Sequence, residues 1–138
     1  MAQGLPLSYK QNPGTSFVLV ANTPLVVFSD VAAPQGLEKI AAYFNITTLP
    51  NAAGVILQVA TVDPGSGKSI VLAASLARTT VHAAADAPIA VFAGQGMPTS
   101  AAAATGASDP RPLGDKVQVR LLSTAGQTVV GSLGVVMA

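Results

Sequence analysis

Hydrophobic and polar residues alternate along most of this chain. The alternation is clearest over residues 38–49, where every second side chain is apolar and the intervening ones are mainly polar: Ile40, Ala42, Phe44 and Ile46 against Lys39, Tyr43, Asn45 and Thr47. A period of two is typical of a β-strand with one buried and one solvated face. Residues 116–124 show the same period, with Val117, Val119 and Leu121 expected to face inward. This pattern predicts strands and not helices.

Short runs rich in Val, Ile, Thr and Phe recur between clusters of Pro, Gly, Asn and Asp. This pattern is typical of strands joined by turns. We therefore predict strands at residues 16–21, 25–30, 38–49, 54–62, 69–82, 88–94, 116–124 and 126–138. The first two are close in sequence and are expected to pair. The run at 69–82 also contains good helix formers, so a helix over 70–77 is the alternative there.

About eight strands in 138 residues, without intervening helices, predict one all-β domain. The expected architecture is an antiparallel β-sandwich of jelly-roll or Greek-key type, with a small closed β-barrel as the alternative. We place this domain at residues 16–138. It includes a long loop at 95–115, where glycine, proline and alanine interrupt any regular period.

Residues 1–15 have no sustained hydrophobic period and contain two prolines and two glycines. We expect them to form an extended N-terminal arm. Leu5, Leu7 and Tyr9 share one side of an extended chain, so they are the predicted assembly contacts, able to add a strand to the open edge of a neighbour.

The composition argues against several classes of function. Charged residues make up 9% of the chain, and seven basic residues nearly balance six acidic ones. The basic residues are scattered singly along the sequence. No basic stripe suited to phosphate contacts exists, so nucleic-acid binding is not expected. The longest apolar run is too short for a transmembrane helix, and the N-terminus lacks the features of a signal peptide, so we expect a soluble protein made in the cytoplasm. A nearly neutral, charge-poor surface favours association, and a homo-oligomer is expected.

Two local patterns resemble catalytic or cofactor motifs. The segment Gly65-Ser66-Gly67-Lys68-Ser69 follows an apolar strand, as in a phosphate-binding loop, but the position of the required first glycine holds Val62. We interpret it as a hairpin turn, with Lys68 exposed and bound to no phosphate.

His82 is the only histidine, and Ser75 and Asp86 are its nearest candidate partners in sequence. We interpret His82 as a solvated residue at a strand end. The chain has no cysteine, and no carboxylates are spaced like a metal site. No catalytic residue, metal or other cofactor is therefore expected, and the chain is not expected to be an enzyme.

A small all-β chain with a predicted arm, an Ala/Gly/Pro-rich loop and few charges resembles the accessory structural proteins of tailed-bacteriophage virions, in particular capsid decoration or cement proteins. The resemblance implies trimers or other symmetric clusters seated on a lattice of major capsid protein. It also implies a location in the virion, the alternative being the cytoplasm. A carbohydrate-binding or adhesive β-sandwich is the alternative function, although aromatic residues, the usual sugar platforms, make up only 4% of the chain.

Overall fold

The computed structural model describes residues 7–31, 39–94 and 116–138. These ranges contain eight strands and no helix, which confirms the predicted all-β class and excludes the alternative helix over 70–77. The strands are β1 (Leu7–Leu19), β2 (Leu25–Val31), β3 (Lys39–Thr48), β4 (Ile56–Val62), β5 (Ser69–Ala74), β6 (Ile89–Gly94), β7 (Lys116–Leu122) and β8 (Gln127–Met137). Within the described ranges, no helix that could cross a membrane occurs.

The strands form two antiparallel sheets of four, ordered β1-β8-β3-β6 and β2-β7-β4-β5. We call them the first and the second sheet. β1 pairs with β8, β2 with β7, β3 with β6 and β4 with β5, so each pair is nested inside the one before. This nested order of eight strands in two sheets is the jelly-roll arrangement of a β-sandwich. The predicted sandwich is therefore confirmed. The strands form two separate sheets and not the closed β-barrel that was the alternative.

The core lies between the sheets and is built from the positions that the alternation marks as apolar. β3 alternates strictly, with Ile40, Ala42, Phe44 and Ile46 at most 1% exposed. The rings of Phe17 and Phe44 meet edge to face, with centroids 5.5 Å apart, in the middle of this layer. Val55, which precedes β4, and facing positions from the second sheet complete the core: Leu57, Val59, Leu72, Val117, Val119 and Leu121. Small aliphatic side chains therefore fill most of the space between the sheets.

Two predictions about strand pairing and extent are wrong. The segments 16–21 and 25–30 do not pair with each other, since β1 and β2 belong to different sheets and only an isolated bridge, Val20 to Thr23, links their ends. The predicted strand 69–82 ends at Ala74. Three successive residues, Leu72 to Ala74, are buried there, because a register shift opposite Val59 and Ala60 interrupts the alternation.

The predicted N-terminal arm is also wrong for residues 7–15. These residues belong to β1, which pairs with β8 from Leu7 opposite Met137 to Leu19 opposite Gln127. A register shift between Gln11 and Thr15 contains Pro13 and Gly14, so this proline and this glycine occupy a bulge in an edge strand. The predicted loop at 95–115 lies outside the described residues.

Candidate functional site

Of the three predicted assembly contacts, the structure describes two, Leu7 and Tyr9. Leu5 lies outside the described residues, and Leu7 is the first residue of β1. The ring of Tyr9 lies 4.9 Å from the ring of Phe28 on β2, so it bridges the two sheets at the edge of the sandwich. Tyr9 remains 36% exposed. The ring contact that the structure shows for Tyr9 is thus within its own chain.

The outer face of the first sheet carries a cluster of apolar side chains that the sequence did not mark as a site. In the register of the sheet, Ala41 lies between Val136 on β8 and Phe92 on β6. Tyr43 lies in the next outward row, between Gly134 and Ala90. Val136 is 40% exposed and the other five are half-buried. We call these six residues the outer apolar patch: Ala41, Tyr43, Ala90, Phe92, Gly134 and Val136.

A trough runs along β8 at the edge of this patch. Gly134 has no side chain and Ser132 has a small one, so the outer surface of β8 lies lower than its neighbours. Lys10 and Pro13 of β1 form one wall, and Tyr43 and Asn45 of β3 form the other. The trough has a volume of about 290 Å³. A Cβ atom at Gly134 would meet the Cβ and Cδ2 atoms of Tyr43 at 3.9 Å, an ordinary contact, so the trough has room for added atoms.

The opposite wall of the trough is the start of an aromatic ridge. The rings of Tyr43 and Phe92 pack edge to face with centroids 6.2 Å apart. Phe92 also lines a second open pocket of about 480 Å³ beside β6, together with Leu76, which is 58% exposed. Apolar surface therefore continues from β8 across β3 and β6 to the loop that follows β5.

The charges on the outer face of the first sheet are unbalanced. Lys10 lies opposite Gly134 in the register, and Lys39 shares the outward side of β3 with Ala41 and Tyr43. Among the residues that the structure describes, the outward positions of β1, β8, β3 and β6 contain no carboxylate. The face is thus apolar at its centre, with two cations towards its margins.

His82 lies in the loop between β5 and β6 and is 9% exposed, so the prediction of a solvated histidine is wrong. Its Nδ1 atom accepts a hydrogen bond from the backbone N–H of Ile46 at 3.0 Å, and the backbone N–H of His82 donates to the Ile46 carbonyl at 2.9 Å. β3 pairs with β6 only as far as Phe44, opposite Ile89. Two residues further along β3, His82 supplies the hydrogen-bond partners of the Ile46 backbone in place of β6. Burial lowers the pKa of the imidazole, and the positive charge of Arg78 lowers it further.

Ser75 and Asp86 lie near His82 but are engaged elsewhere. The Ser75 hydroxyl donates to the Leu76 carbonyl and accepts from the Leu57 N–H, both at 2.9 Å. Asp86 accepts from the Ala83 N–H at 2.8 Å and from Arg78 at 3.3 Å. The Ala83 N–H, and then Arg78, hold the pKa of the Asp86 carboxyl below its usual range. The Nδ1 atom that a carboxylate would orient in a catalytic triad is held by backbone instead.

The turn between β4 and β5 has its amide groups occupied from within. Asp63 accepts hydrogen bonds from the Gly65 N–H at 3.0 Å, the Ser66 N–H at 3.3 Å and the Ser66 hydroxyl at 2.6 Å. The hydroxyl of Ser66 and the N–H of Gly65 lower the pKa of the Asp63 carboxyl. The carboxylate of Asp63 thus occupies the donors that a phosphate would need, and the predicted hairpin turn is confirmed.

No family model matches the chain, and no curated protein matches it either. Among the described residues, no three His, Asp or Glu side chains are grouped as a metal site would require. The outer apolar patch is the site that sequence reasoning missed. Its signal is present in β8, where the outward positions Ser132 and Gly134 are small, but the pattern alone does not reveal which strands lie beside them.

Proposed function

We propose that this protein is a non-enzymatic structural component of a larger assembly, with a capsid decoration or cement role on a virion as the specific form. The observation that carries the proposal is the outer apolar patch on a chain that is only 9% charged. Exposed contiguous apolar surface on a small domain is typical of a surface that another protein covers. The jelly-roll order is consistent with this role because viral capsid domains use it, but the fold alone does not specify a function.

The chemistry of the rest of the described surface supports an assembly role more than a catalytic one. The candidate catalytic groups His82, Ser75 and Asp86 are each engaged in fixing the loop between β5 and β6. Their hydrogen bonds hold the backbone in place and leave no nucleophile beside a base. A rigid loop of this kind suits a building block, whose surfaces must be presented in one conformation to many identical neighbours.

The test is a search for the chain in purified particles from its source. Quantitative mass spectrometry of purified virions is expected to find the chain in a fixed ratio to the major capsid protein. Adding the purified chain to particles that lack it is expected to restore that ratio, measured by co-sedimentation. Absence from the particles, together with failure to co-sediment, would overturn the virion role.

A carbohydrate-binding or adhesive role is the second candidate, and the Tyr43–Phe92 pair is the observation that favours it. Aromatic rings on an outer sheet face, next to the Asn45 amide and the Ser132 hydroxyl, offer a stacking surface with hydrogen-bonding groups beside it. Binding of oligosaccharides on a glycan array, lost in Tyr43→Ala, would favour this candidate over the virion role. The proposed assembly role predicts no such binding.

A further inference from the structure

We propose that the outer face of the first sheet packs against the same face of a second copy of this chain. The twofold axis of this dimer runs along the strands, midway between β3 and β8. This inference deepens the proposed assembly role and rests on it, because it names the partner that covers the outer apolar patch.

The shape of the outer face suits a twofold dimer. The aromatic ridge stands on β3 and β6, and the trough lies on β8, so ridge and trough are neighbours on adjacent strands. A twofold axis between β3 and β8 exchanges these two strands, and it lays the ridge of each copy over the trough of the other. Such an isologous interface requires a self-complementary surface, and this face has one.

The register of the first sheet also suits this dimer. Tyr43 and Gly134 are directly opposite each other in the sheet. An axis parallel to the strands keeps the position along the strand unchanged, so it carries the Tyr43 ring onto Gly134 of the second copy. The position that must receive the largest side chain of the patch is therefore the one that has no side chain. Face-to-face packing with the strands aligned within about 30° is a standard arrangement of two sheets.

The area of the outer face is sufficient for a stable dimer. Strands about 4.8 Å apart and residues about 3.4 Å apart give a four-stranded face of this size roughly 650 Å². A specific and stable interface buries about 600–1,000 Å² on each partner. The face is thus large enough for a dimer. Its two described cations, Lys10 and Lys39, lie on β1 and at the first residue of β3, so the centre of the interface contains no charge.

The first experiment measures mass against concentration by light scattering for the full chain and two variants. The wild type is expected to form dimers, or a larger assembly that contains an even number of chains. Gly134→Glu places a charge in the trough and is expected to raise the dimer dissociation constant at least about a hundredfold. The sheet tolerates the change because Gly134 is not in the left-handed backbone region and its Cβ has room. An unchanged far-ultraviolet circular dichroism spectrum checks the fold.

The matched control is Val26→Glu, on β2 in the second sheet. Val26 is 45% exposed and lies opposite Arg120, so the new carboxylate has a cation beside it. This variant makes the same apolar-to-acidic change outside the proposed interface, and it is expected to dimerise like the wild type. Dissociation by Val26→Glu equal to that by Gly134→Glu would overturn the assignment of the face.

The second experiment tests directly whether position 43 of one copy lies over position 134 of the other. Its readout is a cross-linked product, so it does not require a variant that weakens the dimer. The chain has no cysteine, so a Tyr43→Cys chain can be mixed with an isotopically labelled Gly134→Cys chain. A bismaleimide that spans the roughly 10 Å between packed sheets is expected to join position 43 of one chain to position 134 of the other. A Val26→Cys chain mixed with the Gly134→Cys chain is expected to give no such product. Absence of the 43–134 product overturns the inference.

The outcomes separate this inference from the proposed function. A chain that stays monomeric but attaches to particles would overturn the dimer and leave the assembly role standing. A chain that dimerises through this face but is absent from particles would overturn the virion role and leave the dimer standing.

Discussion

His82 and the backbone of Ile46 are joined by two hydrogen bonds: the Ile46 N–H donates to the imidazole Nδ1 at 3.0 Å, and the backbone N–H of His82 donates to the Ile46 carbonyl at 2.9 Å. The first bond requires Nδ1 to be unprotonated, and it supplies a partner to a backbone N–H in a buried stretch of β3. The loop between β5 and β6 is thus attached to the first sheet by a titratable group.

The free energy of unfolding is expected to fall as the pH is lowered below about 6.5, the ordinary pKa of histidine. Burial, followed by the charge of Arg78, lowers the pKa of His82 in the folded state. In this window the unfolded chain binds more protons than the folded chain, so stability rises with pH. The contribution is complete above about 6.5 and is lost as the pH falls towards the folded pKa. Urea unfolding at intervals from pH 7.5 to 5 measures it.

His82→Asn is the control for this prediction, because the Asn carbonyl can accept the bond from the Ile46 N–H and does not titrate in this range. The variant is expected to unfold with a free energy that is nearly constant from pH 7.5 to 5. Since His82 is the only histidine, its own pKa can be read from a single imidazole NMR signal. A folded pKa at or above 6.5 would contradict the prediction.

Gly54→Ala is expected to destabilise the fold strongly, by about 3 kcal/mol or more. Gly54 has a φ of 82°, and a Cβ there would collide with the carbonyl oxygen of Arg78, where Val55 and Arg78 form a bridge. Gly67→Ala is the matched control, because its φ is 75° and its Cβ would meet nothing within 4 Å. We expect it to cost only the backbone strain, about 1 kcal/mol. Equal losses in denaturant unfolding would show that the close approach at Gly54 is unimportant.

Tyr9→Ala is expected to lower the free energy of unfolding by about 1–2 kcal/mol, whereas Tyr9→Phe is expected to be nearly neutral. The ring contact with Phe28 accounts for the difference, since phenylalanine keeps it. Deleting residues 2–12 removes the partner of β8 from Leu7 to Gln11 and is expected to destabilise the subunit. A deletion that leaves the melting temperature unchanged would restore the interpretation of residues 7–12 as a dispensable arm.

The turn between β4 and β5 is expected to bind no nucleotide. Asp63 already occupies the N–H groups of Gly65 and Ser66, so a phosphate would have to displace a carboxylate held by three hydrogen bonds. Calorimetric titration with ATP and magnesium is expected to give no binding heat, with wild type and Lys68→Ala indistinguishable. Micromolar binding that Lys68→Ala abolishes would reverse this assignment.

The faces of individual strands could be predicted from the sequence. Alternation placed Ile40, Phe44 and Ile46 on one side of β3 and Val117, Val119 and Leu121 on one side of β7, and all six are buried. This works because side chains point to opposite faces at every residue of a strand, so burial of one face imposes a period of two on the sequence. The all-β class and the hairpin at Asp63 followed from the same local chemistry.

Only the tertiary structure decided which strands are neighbours, and the candidate site depends on neighbours. Leu7 pairs with Met137 from the other end of the chain, and Tyr43 lies between Ala90 and Gly134, which are far from it in sequence. Alternation defines the faces of a strand but carries no information about the strand beside it, since cross-strand contacts arise when distant segments meet. The proline and glycine of β1 suggested an arm because a bulge in an edge strand has the same local composition. His82 and the outer apolar patch could not be recognised for the same reason: each is made of residues that only the folding of the whole chain brings together.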